Sequence, residues 1–424
     1  MLIQFSVENF KSFKNRAILS LEGSADKDLR ENFVPNGNDK YLKAISVFGA
    51  NAAGKSNLFQ ALTAAILTIR MSANRQVNEP LIYIIPFKFD EDTIAKPSAF
   101  EFVFIAEGKK YVYGFSATSL NITKEYLYVY NSAKPSTIFE RDGNVYSFTS
   151  PDRKRVMQPL TERNTSNKLF LATATQWNCE ETRIPYLWFA SGVNTYTASF
   201  DQLLLQNAPM FENDTNDSLK RFTTNILHEA DINIDDYEFE SREQTGEQFL
   251  QKLPAELRNL ASTVSITSNK EIRIDTMHTV EADGISKQYR LSILEESQGT
   301  KNLFAFSPVL KRAFETGETV CIDEFDSSIH PMLIEYLIGL FNNPDINREN
   351  AQLIMSTHAV SVMSLKLLRR DQIYFVEKDR KTGASELYSL DEFSPRKQED
   401  VRKAYLLGRY GSVPYIPEEA DLWQ

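Results

Sequence analysis

Two short stretches of this chain combine residue types suited to handling a polyphosphate. The first, Gly49-Ala50-Asn51-Ala52-Ala53-Gly54-Lys55-Ser56, fits the pattern of a phosphate-binding loop in full. Its glycines let main-chain N–H groups curl around an anion, and a helix that follows adds the positive end of its dipole. On this reading Asn51, Ala52, Ala53, Gly54 and Asn57 line the phosphates, Lys55 reaches the β- and γ-phosphates, and Ser56 ligates magnesium. The second stretch, Val320-Cys321-Ile322-Asp323-Glu324, is an apolar run ending in two carboxylates. Asp323 is placed to hold magnesium through water. Successive strand residues point in opposite directions, which leaves Glu324 free to orient and deprotonate an attacking water. Each stretch has a plain alternative, a glycine turn before a helix or an acidic turn after a strand. Their joint presence favours the chemical reading.

Two further groups are weaker on their own. Glu296-Ser297-Gln298-Gly299-Thr300 precedes a helix, and Ser297 with Gly299 suits either a second anion site or an ordinary helix cap. His358 closes the apolar run Leu353-Ile354-Met355-Ser356-Thr357 and is placed to bond a γ-phosphate, although a histidine at a strand end is more often structural.

The surrounding pattern supplies elements to carry these residues. Apolar segments at 2–7 and 44–48 read as strands, and the second runs into the loop before a helix at about 56–73. That helix presents Leu58, Phe59, Leu62, Ala65, Ile66 and Ile69 at three- and four-residue spacing. From about 83 to 150 the sequence alternates as short strands, with a hairpin turning at Glu107 and Gly108. Residues 196–262 read as helical, around SLKRFTTNILHEA and EQFLQKLPAELRNLAS. Beyond 286, helices at 299–315 and 331–342 alternate with strands at 319–323 and 352–356, which implies a parallel sheet. The expected class is α/β with three parts: a β-rich lobe with the loop at 1–195, a mainly helical insertion at 196–285, and a second lobe at 286–424.

Bulk properties exclude several classes. The 424 residues are 42% hydrophobic and 25% charged, and no apolar stretch is long enough to cross a bilayer. The opening MLIQFSVENFKSFKN alternates like a strand and lacks the layout of a signal peptide. Cys179 and Cys321 show no metal-ligand spacing, which suits a reducing cytoplasm, and His228, His278, His330 and His358 form no zinc pattern. A net charge of −10 gives no support to nucleic-acid binding, though it leaves room for a local basic face such as Arg153-Lys154-Arg155. A guanine-reading Asn-Lys-x-Asp is missing, the nearest segment being Asn269-Lys270-Glu271-Ile272.

The order of motifs resembles the ATPase heads of the ABC superfamily, in the branch that includes SMC and Rad50-like proteins. That resemblance implies ATP and Mg2+ as cofactors, Ser297 and Gly299 as the signature, Ser327 and Ser328 in the D-loop, and His358 as the switch histidine. It also implies a homodimer, or a higher homo-oligomer, closing around ATP. Asn9-Phe10-Lys11-Ser12-Phe13, Pro86-Phe87 and Tyr405-Leu406-Leu407-Gly408-Arg409-Tyr410-Gly411 look like the RloA and AbiLi type of bacterial phage-defence ATPase. By analogy Lys11 and Ser12 flank the α-phosphate, and Gln176, closing an apolar segment read as a strand, is the Q-loop magnesium ligand. Ser-Gln-Gly-Thr departs from the Ser-Gly-Gly core of transporter ATPases, and too little chain follows His358 for an appended TOPRIM nuclease. The resemblance therefore points to a switch controlling a separately encoded effector. The alternative is a DNA-repair or DNA-end binding ATPase in the Rad50 manner.

Overall fold

The computed structural model describes residues 1–36, 39–245, 268–282, 284–326 and 329–414. They form two units, Met1–Ala198 with Arg312–Gln424, and Ser199–Lys311. Residues 286–311 thus group with the insertion instead of the last lobe.

The first unit holds two large sheets. One has six strands in the order Val193–Thr197, Thr319–Asp323, Gln352–Ser356, Ala44–Phe48, Ile373–Lys378 and Ser385–Ser389. All its pairings are parallel except the last. Ala44–Phe48, Thr319–Asp323 and Gln352–Ser356 are buried almost throughout, as expected of parallel strands covered on both faces. Because these three run in the same direction, the segments after Phe48, Asp323 and Ser356 leave from one edge of the sheet.

The other sheet has seven antiparallel strands, among them Leu2–Glu8, Ser98–Ala106 and Lys109–Ala117. Its hairpin turns at Glu107 and Gly108, both left-handed at φ 46° and 74°, as a two-residue turn between right-twisted strands requires. Phe100, Phe102 and Phe104 alternate inward; Phe100 packs on Phe10 and Phe115, whereas Phe102 and Phe104 meet Trp188 and Phe189, with Phe104 stacked on Trp188 at 4.0 Å. The helix Lys55–Met71 joins the same continuous core as both sheets. It buries Ala61 and Ala64 beside the expected Leu58, Leu62, Ala65 and Ile69, so its apolar surface is wider than a single stripe.

One side chain pins the two sheets together. Gln352, fully buried, accepts the Leu2 N–H at 2.7 Å and the Thr319 hydroxyl at 3.0 Å. Its amide nitrogen donates to the Leu2 and Leu42 carbonyls, both at 2.9 Å. All four hydrogen-bonding positions of the amide are thereby filled.

The segment Leu169–Gln176, read from sequence as a strand, is a helix over Phe170–Gln176. The cause is distant in sequence. The buried Glu125 carboxylate accepts the Phe170 and Leu171 N–H groups at 2.6 and 2.9 Å, satisfying donors that a helix start leaves open.

The second unit carries helices Phe200–Glu212 and Ser218–Glu229, but its next described residues form a three-stranded antiparallel sheet, Asp236–Thr245, Ser268–Ala282 and Ile285–Ser292. The segment expected to be mainly helical thus contains a sheet. Ile272, Ile274 and Thr276 alternate along its middle strand, and Ile274 and Thr276 are buried. Phe211, Tyr237 and Phe304 make this unit's aromatic core, with Phe211 and Phe304 stacked at 5.3 Å. The expected helix at EQFLQKLPAELRNLAS lies outside the described residues.

Candidate nucleotide site

The loop after Phe48 leads directly into the helix Lys55–Met71. Gly54, at φ 118°, begins that helix in a conformation closed to ordinary side chains, and a Cβ there would come within 2.7 Å of Ser12 Oγ and closer still to Ser385 Oγ. Ala52 is also left-handed, at φ 62°. Asn51 and Ala52 are exposed at the loop's crest, whereas Ala53, Gly54 and Lys55 are buried.

Lys55 folds back over its own loop, Nζ donating to the Gly49 carbonyl at 2.8 Å and the Ala50 carbonyl at 3.3 Å. Burial pulls its pKa below the usual lysine range, and the charges of Asp323, Asp326 and Glu324 oppose that fall. Three carboxylates and one half-desolvated ammonium therefore share a single electrostatic neighbourhood.

The Asn9–Phe13 turn flanks the helix start. Phe10 and Phe13 exchange backbone hydrogen bonds, Lys11 sits at φ 48°, and Asn9 is buried with its amide on the Thr93 and Lys96 carbonyls. This geometry brings Ser12 against the loop, where its Oγ accepts from Asn57 Nδ2 at 2.8 Å. Lys11 Nζ bonds to Gln60 on the exposed side of the helix, and partial burial lowers its pKa.

Asp323 ends the strand Thr319–Asp323 and Glu324 follows it, one strand removed from the loop strand. The intervening strand ends at Ser356, opposite Val47. Ser356 Oγ donates to Asp323 Oδ1 at 2.5 Å and accepts the Glu324 N–H at 2.7 Å. Glu324 itself is exposed and left-handed, φ 51°. His358 is exposed two residues beyond Ser356, and its N–H donates to Asp326 Oδ2 at 2.8 Å.

The remaining candidate residues make other contacts. Ser297 caps the helix Gln298–Thr316, its Oγ accepting the Thr300 N–H at 3.1 Å and lying 2.8 Å from Thr300 Oγ1. Gly299 falls in that helix's first turn. Ser297 and Gly299 belong to the second unit. Gln176 is exposed at the end of a helix that starts where the Leu169 N–H meets Ser72 Oγ, beyond the far end of the loop helix. Among the described residues no hydrogen bond joins it to the loop. Ser327 and Ser328 lie outside the described residues.

Three contributors escaped the sequence reading. Ser356 was visible only as a polar end to an apolar run. Ser385 donates its N–H to the Ser12 carbonyl at 2.7 Å and its hydroxyl to the Ala53 carbonyl at 2.6 Å. Ser412 donates to the Val376 carbonyl, and both groups crowd Gly49. Nothing in the sequence around Ser385 or Ser412 signals this, since each contact joins segments more than three hundred residues apart or depends on a neighbouring strand.

Residues 45–364 match the family described as "AAA domain, putative AbiEii toxin, Type IV TA system". No curated protein matches the chain. Among solved structures it is similar to an SMC head bound to the C-terminal winged-helix domain of ScpA, at 15% identity and TM-score 0.39, with 92% of this chain and 97% of that one covered. The SMC head domain of Thermotoga maritima gives 14% identity and TM-score 0.39, covering 92% and 98%. CbiO1 of Clostridium perfringens, part of the ABC transporter complex cbiONQ, gives 11% and 0.32, covering 97% and 98%. A match over most of the chain, with the phosphate loop and the paired carboxylates both inside it, shows that the protein belongs to this AAA-domain family and is an ATPase.

Proposed function

We propose that this ATPase is a nucleotide-operated switch: two copies close around ATP and Mg2+ and so control a separately encoded effector in defence against phage. The observation that carries the reading is the convergence of Lys55 with Asp323 and Glu324 on one sheet edge, coupled through Ser356.

The residues fit such a ligand. The N–H groups of Lys55, Ser56 and Asn57 precede the first intrahelical hydrogen bond, from the Leu58 N–H to the Gly54 carbonyl, and an open helix start of this kind suits phosphate. Lys55 would exchange its carbonyl partners for β- and γ-oxygens, and Asn51 to Asn57 would hold the chain of phosphates, with Lys11 and Ser12 beside the α-phosphate. Ser56 and Asp323 would hold magnesium, with Gln176 reaching it only if its helix moves. The metal's contribution when bound is charge neutralisation across the transferred group. Glu324, held at a left-handed φ of 51°, takes a proton from the attacking water. His358, whose backbone N–H is held by Asp326, would sense the terminal phosphate. Ser297 and Gly299 would serve the partner copy's nucleotide.

The test is hydrolysis and assembly measured together. Purified protein should turn over ATP only with a divalent metal, and a Glu324→Gln variant with ATP should elute at twice the monomer mass by light scattering. A monomer under those conditions removes the pairing. Co-purification of no neighbouring gene product from the native host removes the effector.

A further inference from the structure

The helix Val401–Leu406 sorts its side chains by face. Val401, Ala404 and Tyr405 are buried, whereas Arg402, Lys403 and Leu406 point to solvent, Leu406 being 60% exposed and Leu407 beside it 77%. Against the outward face runs a groove lined by Pro331, His358, Ala359, Val360 and Leu406, together with Arg402 and Lys403. Met332, next to Pro331, is 71% exposed. Leu406, Val360, Ala359 and Pro331 thus share one groove, and the exposed Leu407 and Met332 adjoin it in sequence.

Cations outnumber carboxylates there. Asp400 belongs to the lining, but its Oδ1 caps the helix by accepting the Lys403 N–H at 3.0 Å. Nearby Glu399 is held by Arg409 and Tyr410. Among the described residues Arg402 and Lys403 have no ion-pair partner, and neither has Lys366 in the adjoining groove. In a chain of net charge −10 this is a local excess of uncommitted cations over an apolar floor.

We infer that this groove docks an acidic amphipathic segment of a partner protein. Its apolar residues cover Leu406, Ala359 and Val360, and its carboxylates meet Arg402 and Lys403. The apolar floor selects against nucleic acid, whose backbone rewards cations alone. The back of the helix shows where such binding would be felt. Tyr405 stacks on Phe375 at 5.4 Å and approaches Phe48 at 6.5 Å, and its hydroxyl donates to the Ser412 carbonyl at 3.0 Å. Phe48 ends the loop strand and Ser412 crowds Gly49, so an occupant touches His358 directly and the floor of the nucleotide loop through Tyr405. This regulatory reach rests on the function proposed above; the docking itself does not.

The experiment uses the full chain and three fluorescent probes: an amphipathic helical peptide of Leu and Glu, its counterpart of Leu and Lys, and a single-stranded DNA oligonucleotide. Anisotropy without nucleotide should show binding of the acidic peptide alone. Leu406→Glu and the Arg402→Glu/Lys403→Glu pair should each weaken it by about tenfold or more, with unfolding temperatures unchanged because all three side chains are exposed. Peptide binding that ignores both variants, or a preference for the Lys peptide or the oligonucleotide, overturns the proposal. Peptide binding with no ATP turnover leaves the groove standing and removes the switch.

Discussion

Ser356 joins the Asp323 carboxylate to the backbone of Glu324, its hydroxyl donating to Asp323 at 2.5 Å while accepting the Glu324 N–H at 2.7 Å. One small side chain on the strand beside the phosphate loop therefore sets both the direction of the Asp323 oxygens and the turn that presents Glu324. Loss of a group that orients a metal ligand typically costs about 10–100-fold in metal affinity or activity. Ser356→Ala should lower ATP turnover by about that factor and raise the magnesium concentration needed for half-maximal rate, with Ser356→Thr partly restoring both. Unchanged magnesium dependence in steady-state assays would remove this positioning role.

Glu324→Gln keeps the shape of the side chain but cannot take a proton. Turnover should fall by about 10²–10⁴, the usual contribution of a general base, while ATP affinity by isothermal titration stays near wild type. Wild-type turnover in this variant moves the base elsewhere.

Gly54→Ala places a methyl group against Ser12 and Ser385 at a φ of 118°. Strain of this kind costs on the order of 1–3 kcal/mol, and relief requires the loop to shift. The variant should melt at a lower temperature and lose nucleotide binding, whereas Gly108→Ala, at a turn with open space around the site of the new methyl, should lose stability only.

Lys55→Ala should abolish nucleotide binding, as followed by a fluorescent ATP analogue. Because Lys55 is buried and its Nζ holds the Gly49 and Ala50 carbonyls, the variant should also loosen the loop, visible as faster amide exchange at residues 50–54.

The buried pair Glu125–Arg141, 3.6 Å apart with both side chains fully covered, lies at the start of the helix Phe170–Gln176 and outside the nucleotide site. Glu125→Ala leaves a buried guanidinium without its carboxylate and uncaps that helix. A loss of about 3–5 kcal/mol in denaturant unfolding is expected. A loss under about 1 kcal/mol would mean that Arg141 is held by its carbonyl partners alone.

The parts of this molecule legible in the sequence are those built from neighbours along the chain. Ala44–Phe48, the glycine loop and the helix after it announce themselves within thirty residues, and the Glu107-Gly108 hairpin within twenty. Val320 to Glu324 was legible because buried parallel strands are continuously apolar and end abruptly. What stayed hidden depends on distant partners. Glu125 makes a helix of Phe170–Gln176, whose apolar run looks like a strand, and Ser385 reaches Ala53 across most of the sequence. The sheet in the second unit was masked by helical periodicity on either side of it, although Ile272, Ile274 and Thr276 carry its two-residue alternation.

Gln352 fastens strands that belong to different sheets, with every donor and acceptor of its amide engaged. Sliding one sheet over the other would break those bonds in a dry interior, so the frame can only travel as a single block. Whatever displacement ATP turnover produces must then be delivered by the segments that leave the edge after Phe48, Asp323 and Ser356, a short lever arm anchored on a stiff chassis.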